Sequence, residues 1–244
     1  MNFPDSRKKV ERALKHIRDL EELRSTFSSS DFYSLIVKEH RGHNHVFIVF
    51  LKQFPETTAA LIIGDALHNM RSALDLLYYR AFDGITAMAN HRTRFPIRDE
   101  REELISSING GLKEKKLLDH VGAIKLRDFV VDDVKAYQAG NWPLWALHDM
   151  NITDKHKLLI PVFKIMRFTE IRLEDEHGNI FLAEGQPYFT EDSYQFKLGR
   201  EGTLKLHDKG HAATGVAIQR RSSPPRQACH SIAHQSRGKC HAND

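Results

Sequence analysis

Gly64-Asp65-Ala66-Leu67-His68-Asn69-Met70-Arg71-Ser72-Ala73-Leu74-Asp75 decides how this chain folds. Within and around it Ile63, Ala66, Leu67, Met70, Ala73, Leu74, Leu77 and Ala81 recur at three- and four-residue steps. That period puts them on one face of a long helix over about residues 57–82. Asp65, His68, Asn69 and Ser72 fall on the opposite face, with Arg71 and Asp75 on the flank. Phe54-Pro55-Glu56-Thr57 supplies a start and Asp83-Gly84 a stop.

Upstream, residues 5–25 read as an amphipathic helix with Val10, Ala13, Leu14, Ile17 and Leu20 on its stripe. Two strand-like runs follow, 32–39 and 46–52, joined at Arg41-Gly42-His43-Asn44 as a hairpin. Downstream comes a loop with Arg94-Phe95-Pro96-Ile97, then a short helix over 100–108 that Asn109-Gly110-Gly111 breaks. Residues 119–138 are a mixed, helical segment. Gly140-Asn141-Trp142-Pro143 opens a helix over 143–157, with Trp142 and Trp145 covering its start as core aromatics. From Pro161 the pattern turns extended, with strands at 162–174, 180–183, 188–196 and 203–206 and a turn at His177-Gly178-Asn179.

The fold class is therefore α+β: an N-terminal β-hairpin, two central packed helices, a C-terminal antiparallel sheet and a disordered tail. The chain divides into an N-terminal helix (1–30), a single α+β domain (31–208) and a disordered basic tail (209–244) carrying Arg220-Arg221-Ser222-Ser223-Pro224-Pro225-Arg226.

Of 244 residues, 41% are hydrophobic and 28% charged, the balance of a globular domain. No apolar run approaches the roughly 18–20 residues that span a bilayer, and the first residues form no apolar leader core. Both cysteines, Cys229 and Cys240, fall in the last sixteen residues, so the body has no disulfide framework and suits a reducing cytoplasm. The pI near 9.0 suggests nucleic acid. Yet six of the 36 Lys/Arg and two of the 32 Asp/Glu lie beyond residue 205, which leaves 30 of each sign before it. The folded body carries no net basic excess of the kind a nucleic-acid surface shows.

The second informative stretch is Leu147-His148-Asp149-Met150-Asn151-Ile152-Thr153-Asp154-Lys155-His156-Lys157. His148, Asn151 and Lys155 share a helix face at i, i+3, i+7, as Asp65, His68 and Ser72 do on the first helix. If the two helices lie side by side, Asp65, His68, Asn69, Arg71, Asp75, His148, Asp149, Asn151, Asp154 and His156 border one pocket. It would take a small polar or anionic ligand. Solvated faces tied by a few hydrogen bonds are the plain alternative. Asp65-x-x-His68 has the spacing of half a helical carboxylate–histidine metal motif, but Asp154-Lys155-His156 does not complete it, and no metal is assigned. There is no nucleophile elbow, no phosphate-binding glycine loop and no dinucleotide fingerprint. Cys229-His230, His234 and Cys240-His241 are too irregularly spaced for zinc. No cofactor is identified.

On these residues the chain resembles a family of uncharacterised bacterial proteins. Its elements are a Gly-Asp-x-x-His-Asn-x-Arg-Ser-Ala-Leu-Asp helix, a Phe-Pro-Ile loop and a Leu-His-x-x-Asn-x-x-Asp-Lys-His helix end. Here they are Gly64–Asp75, Phe95-Pro96-Ile97 and Leu147–His156, and the resemblance spans about residues 32–205. It carries no activity with it. More distantly the chain is similar to the helical HEPN superfamily, many of whose members cleave or bind RNA. There an Arg supports the phosphate and a His, after four to six intervening residues, deprotonates a ribose hydroxyl. Arg71 stands for the Arg, but Leu76, Leu77 and Tyr78 occupy the positions of the His. The resemblance implies an RNA-associated protein of a defence or toxin system without the usual catalytic pair. A non-enzymatic structural or interaction module is the third reading. Self-association is compatible with all three.

Overall fold

The computed structural model describes residues 3–40, 42–157, 159–189 and 193–219. A first helix, α1 (Pro4–Ser28), begins at Pro4, whose missing N–H is no loss in a first turn. Next come β1 (Tyr33–His40) and β2 (His43–Phe50), an antiparallel hairpin in register from Tyr33↔Phe50 to His40↔His43. The chain then enters α2 (Glu56–Thr86), four residues longer at its C-terminal end than the period suggests.

Helix α1 lies along α2 and is no separate unit. Ser6, Ala13 and His16 are its buried residues, and Leu20 packs against Ile63 and Leu67 of α2. The expected stripe is only partly used: Val10, Leu14 and Ile17 remain 44%, 47% and 46% exposed. Helix α2 is buried on more than one side. Asn69 and Arg71 are buried although the period sets them away from the apolar face, and Leu77 is exposed. The cause is enclosure: α1 covers one side, while a later helix and strand cover another.

Helix α3 (Arg101–Glu114) runs straight through Gly110-Gly111, where the sequence reading places a break. Two interior glycines cost about 1 kcal/mol each relative to alanine. Burial of Leu112, in line with buried Leu104 and Ile108, is worth roughly 1.5–3 kcal/mol and offsets that cost. Then follow α4 (Val121–Asp128), one π-helical turn over residues 129–133, and α5 (Trp142–His156). Asn141 caps α5 by accepting from the Leu144 N–H at 3.2 Å, with Pro143 in the first turn. Of the two tryptophans only Trp145 is drawn in, donating its indole N–H to Asp99 at 2.8 Å; Trp142 is 62% exposed.

Among the described residues eight strands form two antiparallel sheets. The first orders β1-β2-β6-β5, with β5 (Tyr188–Phe189) and β6 (Tyr194–Lys197) dividing the strand expected over 188–196. The second is built on the long β3 (Ile160–Glu174), flanked by β4 (Ile180–Gly185), β7 (Lys205–Asp208) and β8 (His211–Gln219). Strand β8 corrects the expected boundary. Residues 211–219 are not tail but pair with β3 from Ile160↔Gln219 to Thr169↔His211. The open edge of β3 supplies the hydrogen bonds that this alanine-rich stretch does not advertise by composition. Residues 220–244, with the arginine–proline run and both cysteines, lie outside the described residues.

Two cores result. One, around Phe32, Val46, Phe168, Ile171, Leu173 and Phe196, lies between the sheets. Their approach is close enough that a Cβ at Gly185 would stand 2.1 Å from the Phe196 ring. The other is helical, around Tyr78, Phe82, Phe95, Ile97, Leu104, Ile108 and Val130. An α+β fold is what these elements make, and no helix among the described residues is long and apolar enough to cross a membrane.

Candidate functional site

Helix α2 and the loop after it are fastened at one point. Arg71 Nη2 donates to Asp75 Oδ1 at 2.8 Å and to the Phe95 carbonyl at 2.6 Å, while Asp75 Oδ1 also accepts from the Phe95 N–H at 3.0 Å. The i, i+4 spacing on α2 lets Arg71 and Asp75 meet. Together they grip both backbone polar groups of Phe95, whose ring is buried in the helical core. The loop continues inward: the Arg98 N–H donates to the Ala136 carbonyl at 3.2 Å, and Asp99 takes the Trp145 indole. Thus α2, the Phe-Pro-Ile loop and α5 are held as one unit.

Between them lies a cleft of about 800 Å³. Arg71, Asp75 and Tyr78 of α2 form one wall, residues 90–98 a second, Ser107, Ile108 and Gly111 of α3 a third, and His148, Asn151 and Lys155 of α5 a fourth. Arg71, Arg92, Arg94, Arg98, Lys115 and Lys155 contribute six cationic side chains against two carboxylates, Asp75 and Glu114. Asp75 is already engaged by Arg71, so the field inside the cleft is positive.

Two buried nitrogens on its walls are left without partners: Arg71 Nη1 and His148 Nδ1 make no hydrogen bond. Arg71 is 8% exposed, and its pKa is held below the ordinary arginine value, chiefly by burial; Asp75 pulls it up, and Arg94 and Arg98 push it down. It stays charged at neutral pH all the same. His148 is held below 6.5, first by burial, then by the charges of Arg71 and Arg98, with Asp149 and Asp99 opposing. A buried donor without an acceptor costs roughly 1–3 kcal/mol, more when charged. The walls thus combine an excess of cationic side chains with two buried nitrogens that have no partner.

The two helices do lie against each other, since a Cβ on Gly64 would be 2.5 Å from Asp154 Oδ2. Of the ten residues expected to share one pocket, Arg71, Asp75, His148 and Asn151 line the cleft and the other six do not. Asp65 and His68 are exposed, with His68 Nε2 3.5 Å from Ser72 Oγ on its own helix. Asn69 turns toward α1, accepting from Lys9 at 3.3 Å and donating to the Asp65 carbonyl at 2.8 Å. Asp154 sits against Gly64 with Oδ1 buried and unpaired, His156 is exposed, and Asp149 is half-buried beside His148. His68 and His148 therefore do not converge. The reason is axial: His68 shares a stripe with Arg71 and Asp75 at i, i+3, i+7, but the cleft begins at Arg71, one turn farther along α2, and Asp65 lies nearly a turn before His68.

Arg92, Arg94, Arg98, Ser107 and Gly111 join the site without having been singled out in the sequence. The signal lay in His91-Arg92-Thr93-Arg94-Phe95-Pro96-Ile97-Arg98, where cations crowd a loop that two buried apolar residues anchor. Among the described residues no three His, Cys, Asp or Glu side chains come together as metal ligands would. The chain matches no protein-family model, no curated protein and no solved structure.

Proposed function

We propose that this chain is a cytoplasmic protein whose α2–α5 cleft binds a small anion through Arg71, Arg98 and His148. The observation that carries this reading is the pair of buried nitrogens, Arg71 Nη1 and His148 Nδ1, left without hydrogen-bond partners in a cleft where cations outnumber carboxylates. Arginine presents a planar fork suited to carboxylate, sulfate and phosphate oxygens. Arg71 is positioned beforehand by Asp75 and Phe95, so little side-chain freedom is lost on binding. Asn151, buried in the same wall, adds polar capacity for neutral parts of a ligand.

Calorimetric titration with inorganic sulfate tests this. Arg98→Ala and His148→Asn should each weaken binding about tenfold, the loss of roughly one charge-assisted hydrogen bond. Gly111→Leu is the independent variant. Gly111 lines the cleft and a Cβ there meets nothing within 4 Å, so a leucine in its place should obstruct the cleft and abolish binding in a folded protein. Undiminished sulfate affinity in all three variants would refute the reading.

A second reading, an RNA-associated protein, is supported by the exposed Arg92, Arg94 and Lys155 on the rim beside Arg71. Here the ligand's phosphates would run along the rim, so single-stranded RNA would be retained at low salt and released as salt rises. Absence of retention at low salt removes this reading and leaves the first intact.

A further inference from the structure

The outer face of α1 is apolar where the fold gives it nothing to pack on. Val10, Leu14 and Ile17 are each nearly half exposed, while the buried residues of the helix are Ser6, Ala13 and His16. With Arg7 before them and Glu21 after them, the exposed positions 7, 10, 14, 17 and 21 alternate by three and four, the seam of a helix pair. Charges of opposite sign flank the stripe on the two sides of Leu14: Arg7 and Glu21 end it, and Glu11 and Arg18 lie beside it.

We propose that α1 joins two copies of this chain, antiparallel and centred on Leu14. A two-fold axis through Leu14 places Arg7 of one copy across from Glu21 of the other, and Glu11 beside Arg18, each pair occurring twice. The parallel alternative faces Arg7 with Arg7 and Glu21 with Glu21, so like charges select against it. Glu21 also bonds Arg24 in its own helix, at 2.9 Å from Arg24 Nε, but its side chain is 63% exposed and has acceptor capacity to spare. Three apolar side chains per copy make a small interface, so the dimer should be weak and concentration-dependent, with a dissociation constant on the order of tens of micromolar. This inference does not rest on the cleft.

Sedimentation of the full chain across a concentration series tests it. Leu14→Glu should leave a folded monomer. Glu11→Arg alone brings a second guanidinium beside Arg18 at both symmetry-related contacts and should weaken association about tenfold. Glu11→Arg combined with Arg18→Glu restores opposite charges only in the antiparallel arrangement, and should restore the dimer. A monomer at every concentration up to about a millimolar overturns the proposal. So does a dimer indifferent to Leu14→Glu, or a double exchange that fails to recover association.

Discussion

Asp75→Ala is the most informative single change, because one carboxylate oxygen there serves both a buried guanidinium and a loop backbone. Its loss removes the 2.8 Å contact with Arg71 and the 3.0 Å contact with the Phe95 N–H. Breaking a fully buried ion pair costs about 3–5 kcal/mol. The Asp75 side chain is 28% exposed, however, so water can solvate part of what is left, and we set the cost at roughly 2–3 kcal/mol. For a domain of this size that lowers Tm by roughly 5–10 °C. Asp75→Asn keeps an acceptor for Phe95 and loses the charge, so about half the cost should remain. Urea unfolding of Asp75→Ala, Arg71→Met and the double variant gives the coupling, expected near 1–2 kcal/mol because the double variant strands no buried charge. A loss below about 0.5 kcal/mol with no coupling is what a bland surface position would show, and would refute the fastening argument.

Three further expectations follow from the same geometry. Gly64→Ala should destabilise the native chain, since its Cβ meets the Asp154 carboxylate, yet stabilise an Asp154→Ala background by about 1 kcal/mol of helix propensity; equal effects in both backgrounds count against the contact. Gly110→Ala should raise stability by about 0.5–1 kcal/mol in thermal or urea unfolding, because its Cβ enters open space in a helix interior, and a loss there would be inconsistent with the continuous α3. His148 has a folded pKa below its ordinary 6.5, so the neutral ring is favoured by folding; this stabilisation is complete above pH 6.5 and fades as pH falls through the folded value. Bound sulfate should reverse the effect by attracting the charged ring, so sulfate affinity should rise about tenfold between pH 8 and pH 5.5, and His148→Asn should flatten the profile; an unchanged profile in the variant excludes His148 from the site.

What the sequence disclosed depended on period. Helix α2 was readable because eight apolar positions keep step over five turns, and α5 because Asn141 and Pro143 mark its start. Those same periods brought out Arg71, Asp75, His148 and Asn151. They could not tell how far along α2 the loop packs, so Asp65 and His68, which precede the cleft by one to two turns, fall into one group with the residues that line it. Period gives a face; it does not give the neighbour. Gly110-Gly111 misled in the opposite direction, since local propensity is weak beside the burial of Leu112. The loop arginines 92, 94 and 98 have no period at all, and only the anchoring of Phe95 and Ile97 assigns them a common wall.

Strand β8 bears on how the protein can be handled. Thr214 accepts from Arg24 of α1 at 2.8 Å and lies 2.7 Å from Ser28 Oγ, so this last described strand clasps the first helix as well as sealing half of β3. A fragment trimmed at residue 208, the boundary that composition alone suggests, would bare the N-terminal part of β3 as an unpaired ribbon ready to recruit foreign strands. Trimming after residue 219 keeps that border closed.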